Sequence, residues 1–223
     1  MSIIFSKIEI DVSQISEIKE ASELCRTQGI PAIIVHPSLS SLAIIEKGSQ
    51  KGRYKIGSPI DSPKGELEGV AKFRHLTTDT LEADIFEISI NILNKTVKQL
   101  ETYFVNLHEF VRSKISNCEI RYTIVGLDKS NVESLVMAIS NSPVPAMLRN
   151  DMPLKTQVKL ADISAHRNYI SYIREHTNIP LKIGGNITYQ VAESLLSEFR
   201  SLYFAVNLSQ ANSINKEFYK KDT

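Results

Sequence analysis

The sequence predicts a parallel (β/α)8 barrel, an α/β fold in a single domain, and three observations carry that expectation. Short β-branched runs alternate with amphipathic helical periods along the whole chain. The strand-like runs are apolar enough to be buried on both faces, as parallel strands are. Eight such units fit into 223 residues at about twenty-eight residues each, short for this architecture but workable. No linker-like composition shift interrupts them, so residues 1–223 read as one domain with a polar tail over about 209–223. A doubly wound open sheet is the runner-up, but eight units close naturally.

Each element has its own signal. Ile3–Ile10 is the first strand. Ser13 caps a helix that turns Ile15, Ile18, Ala21, Leu24 and Cys25 inward and stops at Gly29. Ala32–Val35 is a buried strand ended by His36-Pro37. Leu39–Lys47 is a short helix ending at Gly48, and Tyr54–Ile56 is the third strand, closed by Gly57-Ser58-Pro59. Ser62 and Pro63 read as the N-cap and first residue of a helix carrying Leu67, Val70, Ala71 and Arg74. Ile85–Ile90 is the fourth strand, with Glu87 and Ser89 inside it. The clearest helix repeats Val97, Leu100, Phe104, Leu107, Val111 and Ile115 at three- and four-residue steps. Glu119–Val125 is the fifth strand, Ser130–Ile139 a helix, and Val144–Leu148 the sixth strand. The polar segment Arg149–Thr156 is long for a connection and reads as a functional loop. A helix over roughly Ile163–His176 follows. Pro180–Ile183 and Leu202–Val206 are the last strands, and Asn215–Thr223 is expected to fray.

Composition excludes several classes of function. A net charge of +1 gives no electrostatic case for nucleic acid or an acidic membrane. The N-terminal apolar run is too short for a signal peptide, and no run reaches membrane-spanning length. Two distant cysteines, Cys25 and Cys118, form no metal or disulfide pattern, so a reducing, cytoplasmic setting is expected. The five histidines show no metal-ligand spacing, and nothing calls for a metal or cofactor.

In a barrel the active site lies at the C-terminal ends of the strands. That rule selects His36, the Gly57–Asp61 loop, Glu87, Asn91, Asp128, Arg149, Asn150, Lys155, Lys182, Gly184–Asn186 and Asn207. The stretch Asn178–Phe199 offers the most. Lys182 sits in a buried strand, where an unpaired ammonium is costly. Gly184-Gly185-Asn186 then turns into a helix with Val191, Ala192, Leu195, Leu196 and Phe199 on one face. Backbone N–H groups at such a turn suit a phosphate. The same residues also suit a plain tight turn with a snorkelling lysine.

Four stretches carry a family likeness: AIIVHP at Ala32–Pro37, YKIGSP at Tyr54–Pro59, ADIFEISIN at Ala83–Asn91 and LKIGGNI at Leu181–Ile187. Together they resemble the deoxyribose-phosphate aldolase family, in family order and across most of the chain. The resemblance implies a class I aldolase on a (β/α)8 barrel, acting on a small phosphorylated sugar or aldehyde. The family cleaves 2-deoxyribose 5-phosphate through a Schiff-base lysine on strand 6, assisted by a lysine on strand 7 and an aspartate on strand 4. By that likeness Lys182 is the strand-7 lysine, and Glu87 stands for the aspartate. Arg149 falls at the Schiff-base position, where a guanidinium cannot form an imine. Lys155-Thr156 repeats the family's Lys-Thr pair six residues later. Gly184, Gly185, Asn186 and Asn207 fall on the phosphate-binding turns. The expectation is an aldolase-like protein with imine chemistry absent or much slowed. The alternatives are an inactive homologue with a binding or structural role and an isomerase using Glu87 as base. Self-association into a homo-oligomer is a further expectation.

Overall fold

The computed structural model describes residues 3–48, 53–60, 82–115, 117–151 and 160–221. Its architecture is a closed barrel of parallel strands in sequence order, β1 Ile8–Val12, β2 Ala32–Val35, β3 Lys55–Ile60, β4 Ile85–Asn91, β5 Glu119–Val125, β6 Met147–Asp151, β7 Leu181–Gly184 and β8 Leu202–Asn207. Around it lie α1 Ile15–Gln28, α2 Ser40–Lys47, α3 Val97–Lys114, α4 Val132–Ser140, α5 Leu160–His176, α6 Tyr189–Glu198 and α7 Leu208–Lys221. β1 pairs with β8, which closes the ring, so the barrel replaces the open-sheet alternative.

The helices start and stop where local chemistry dictates. Thr96 and Gln99 form a reciprocal cap at the start of α3, with Gln99 N donating to Thr96 Oγ1 at 3.3 Å and Thr96 N to Gln99 Oε1 at 2.8 Å. Thr188 caps α6 through Val191 N at 3.3 Å. Gly29 ends α1 in the left-handed region, φ 72°, which favours glycine. The N-cap of α1 is Gln14 rather than Ser13. The Glu17 carboxylate accepts from the backbone N–H groups of both residues.

Several strand boundaries differ from expectation. β1 starts at Ile8 because Phe5–Lys7 is a 3-10 turn. Phe5 is buried there, edge-on to Phe218 of α7 at 5.3 Å. That contact, with Ala211 and Ile214 also buried, makes the expected fraying tail a packed helix through Lys221. β3 runs through Gly57-Ser58-Pro59 to Ile60. Gly57 supplies space, not a turn: a Cβ there would strike Ile34 and lie 3.2 Å from Ile85 Cβ. β6 includes Arg149, Asn150 and Asp151, which the sequence placed beyond the strand. The helix expected after Ser62 and the loop residues Lys155 and Thr156 lie outside the described residues.

Two chemically distinct compartments result. Residues such as Ile10, Ile33, Phe86, Tyr122, Leu148 and Phe204 face the helices and form one large apolar core. A small separate cluster, Ala32, Ile34 and Ile85, lies on the other parity of β2 and β4. On that parity β4 to β7 carry charge or glycine, as the register shows in Glu87↔Arg121, Arg149↔Lys182 and Asp151↔Gly184.

Candidate functional site

Ion pairs between strands that are not neighbours can only cross the lumen, and this barrel has a column of them. Arg121 of β5 donates through Nη1 to both oxygens of Glu9 on β1, at 2.7 and 2.8 Å. It also reaches Glu119 Oε2 through Nη2 at 2.8 Å. Lys182 of β7 donates to Glu9 Oε2 at 2.6 Å and makes a second ion pair with Glu87 of β4. Arg149 of β6 contacts Glu87 Oε2 at 3.0 Å, Asp11 Oδ2 on β1 at 2.6 Å and, through Nε, Asp151 Oδ1 at 2.7 Å.

The column has a dry centre and wetter ends. The side chain of Lys182 is 0% exposed and that of Glu87 2%. Towards the C-terminal mouth, Arg149 is 13% exposed, Asp11 35% and Asp151 42%. Towards the other end, Glu119 is half-buried, and Lys55, its ion-pair partner, is exposed. Gly184 makes the mouth arrangement fit, because a Cβ there would collide with the Asp151 carboxylate and sit 3.3 Å from Arg149 Nη2.

These pairings set protonation. Burial alone would raise the Glu87 carboxyl, but Lys182 and then Arg149 outweigh it and hold it at about 2. Burial pushes Asp11 above its ordinary value against the pull of Arg149 and Lys182. Burial opposes the Arg149 charge, yet Asp11, Glu87 and Asp151 hold the guanidinium well above the ordinary arginine range.

The residues selected from the sequence therefore divide. Glu87, Lys182 and Arg149 meet in one cluster. Arg149 contacts the same Glu87 as Lys182, and the two cations are bridged by that carboxylate. Lys182 itself is neutralised by Glu9 and Glu87. Asn150 points out of the lumen, donating to Tyr169 Oη of α5 at 2.6 Å. His36, Asn91 and Asp128 serve their own turns: Ser38 N donates to His36 Nδ1 at 3.4 Å, Leu93 N to Asn91 Oδ1 at 3.0 Å, and Ser130 N to Asp128 Oδ1 at 2.7 Å. Gly184 lies inside the barrel, while Gly185, Asn186 and Asn207 are tied together by Gln210. Its Nε2 donates to Gly185 O at 3.1 Å and Asn186 Oδ1 at 2.8 Å, and its Oε1 accepts from Asn207 N at 2.9 Å. Lys155 lies outside the described residues. Sequence reasoning missed Glu9, Asp11 and Arg121. Their signal was a charge at every second position of an otherwise apolar strand, as in Ile8-Glu9-Ile10-Asp11-Val12.

The fold and lumen define a single-domain (β/α)8 barrel with a titratable interior, and solved structures of the same fold narrow the comparison. The tetrameric deoxyribose-phosphate aldolase from Aeropyrum pernix superposes with a TM-score of 0.71 at 13% identity, covering 98% of this chain and 92% of that one. QR15, an aldolase, gives 0.70 at 16% identity over 100% and 98% of the two chains. KGPDC from Streptococcus mutans gives 0.58 at 8% identity over 96% and 97%. These likenesses establish a shared fold. No protein-family model matches the sequence, and no curated protein matches it.

Among the described residues no group of three or more histidine, cysteine or acidic side chains could hold a metal ion. No helix among them is long and apolar enough to cross a membrane.

Proposed function

We propose that this chain is an aldolase-like barrel withdrawn from imine chemistry at its lumen, serving as a binding or structural protein in a reducing, cytoplasmic setting. The observation that carries the reading is Arg149, which stands on β6 with its guanidinium engaged by three carboxylates. An enamine route needs a neutral amine within bonding reach of a substrate carbonyl. Arg149 cannot supply one. Lys182 has no solvent exposure and is ion-paired to Glu9 and Glu87. Glu87, held at about 2, is a poor proton acceptor at neutral pH, which weighs against the isomerase reading.

A working aldolase on a small phosphorylated sugar or aldehyde is the second reading. It is favoured by the names of two structural neighbours, an aldolase and a deoxyribose-phosphate aldolase. It would use Lys155 as the imine former, with Lys182 and Glu87 assisting. Its phosphate would rest on Gly184, Gly185, Asn186 and Asn207, and Gln210 Oε1 already takes the Asn207 N–H. Borohydride trapping with acetaldehyde or 2-deoxyribose 5-phosphate, followed by peptide mapping, separates the two. No adduct is expected. Stoichiometric trapping on Lys155 would replace the first reading by the second. Homo-oligomer formation, in keeping with the tetramer of the Aeropyrum pernix protein, is tested by sedimentation velocity.

A further inference from the structure

The geometry points to Arg149 as an autoinhibitory plug: its guanidinium closes the barrel mouth over Lys182, and the amine beneath is a latent acyl- and carbonyl-reactive site. Arg149 and Lys182 are register partners on β6 and β7, and both touch Glu87. Arg149 extends mouthward to Asp11 and Asp151, while Lys182 extends inward to Glu9. Exposure falls from 42% at Asp151 through 13% at Arg149 to 0% at Lys182, so among the described residues the guanidinium is the layer between solvent and amine on that side. The plug is the wetter of the two closures of the lumen: of the three carboxylates on Arg149, Glu87 is dry and the two nearer the mouth reach water. At the opposite end, Arg121 is held by Glu9, which is 2% exposed. Asp11 and Asp151 keep contact with water, and carboxylates that can rehydrate hold a guanidinium loosely. Gly184 keeps the plug seated, since any side chain there would displace Asp151.

The inference rests on the lumen being sealed, not on whether Lys155 reacts. Its test is acetylation of the folded, full-length protein by the N-hydroxysulfosuccinimide ester of acetate. The neutral Nζ attacks the ester carbonyl, N-hydroxysulfosuccinimide leaves, and the amine proton passes to solvent. Peptide mass spectrometry reads Lys182, with exposed Lys55 as internal reference. In wild type, Lys182 should label only as fast as the chain globally unfolds, a population set by urea denaturation. In D11N/D151N, which keeps Glu9, Glu87 and Arg149, Lys182 labelling relative to Lys55 should rise tenfold or more beyond its global unfolding rate. R149A should raise it further. If R149A does not fold, D11N/D151N decides. Lys182 labelling that tracks global unfolding in every folded variant would overturn the plug. Aldehyde trapping on Lys155 would overturn the functional reading above and leave this result standing.

Discussion

Arg121 and Arg149 are built alike and sit in different surroundings. Each turns its Nε to an acidic residue two positions away on its own strand, Glu119 or Asp151. Each reaches across the lumen to β1, to Glu9 or Asp11. Glu87 lies between them, 3.0 Å from Arg149 and 3.8 Å from Arg121. The difference is water. The β1 partner of Arg121 is dry, that of Arg149 is a third exposed, and Glu87, which both face, is dry. The same side-chain pattern thus makes a strut where the carboxylate is desolvated and a closure where it is hydrated. A desolvated charge has no substitute for its partner, and a hydrated one does.

Removing the shared carboxylate should have the largest effect. Glu87→Ala leaves two buried cations short of a partner and should cost about 3–5 kcal/mol in urea denaturation. A loss under about 1 kcal/mol would mean that the two arginine layers are not coupled through Glu87. Next, Arg121→Ala should cost more than Arg149→Ala, about 3–5 against roughly 1–3 kcal/mol, because Glu9 stays buried, while Asp11 and Asp151 rehydrate and Glu87 keeps Lys182. Equal losses would erase the distinction between strut and closure.

Acid should act on the two carboxylates in opposite senses. Glu87 has a folded value of about 2, below its ordinary 4.5. Its contribution is complete above pH 4.5 and is lost as pH falls from there towards 2, on the order of a few kcal/mol. Asp11 is raised above 3.8 in the folded chain, so its contribution is present at low pH and fades as pH climbs through its folded value. A stability profile against pH should therefore have a shallower acid limb in Glu87→Gln. It should lose a shallow decline above about pH 4 in Asp11→Asn.

Smaller effects sharpen the mouth. Gly184→Ala should cost about 1–3 kcal/mol by forcing Asp151 off Arg149, and Asp151→Asn alone under about 1 kcal/mol. Gly184→Ala in an Asp151→Gly background should recover most of its loss, since the colliding carboxylate is gone.

Much of this was legible in the residues. Parallel topology followed from β-branched runs such as Ala32–Val35 alternating with periodic helices such as Val97–Lys114. Both signals depend on local sequence spacing, which fixes which residues are buried whatever the partners are. The importance of Lys182 and Glu87 was legible for the same reason: a charge inside an apolar strand must find a counter-charge. The partners were not legible, because Glu9 and Arg121 are 112 positions apart and meet only when β1 and β5 face each other across a closed ring. Arg149–Asp151 read as a loop because polarity normally marks solvent, whereas Arg149 and Asp151 are neutralised by ion pairs in the lumen and Asn150 is satisfied by Tyr169 on the outer face. Likewise Gly57 and Gly184 looked like turn formers, although each makes room for a neighbour's side chain. Sequence determined which faces of the elements are buried. Barrel closure decided which buried charges touch, because that depends on the distance between strands remote in the chain.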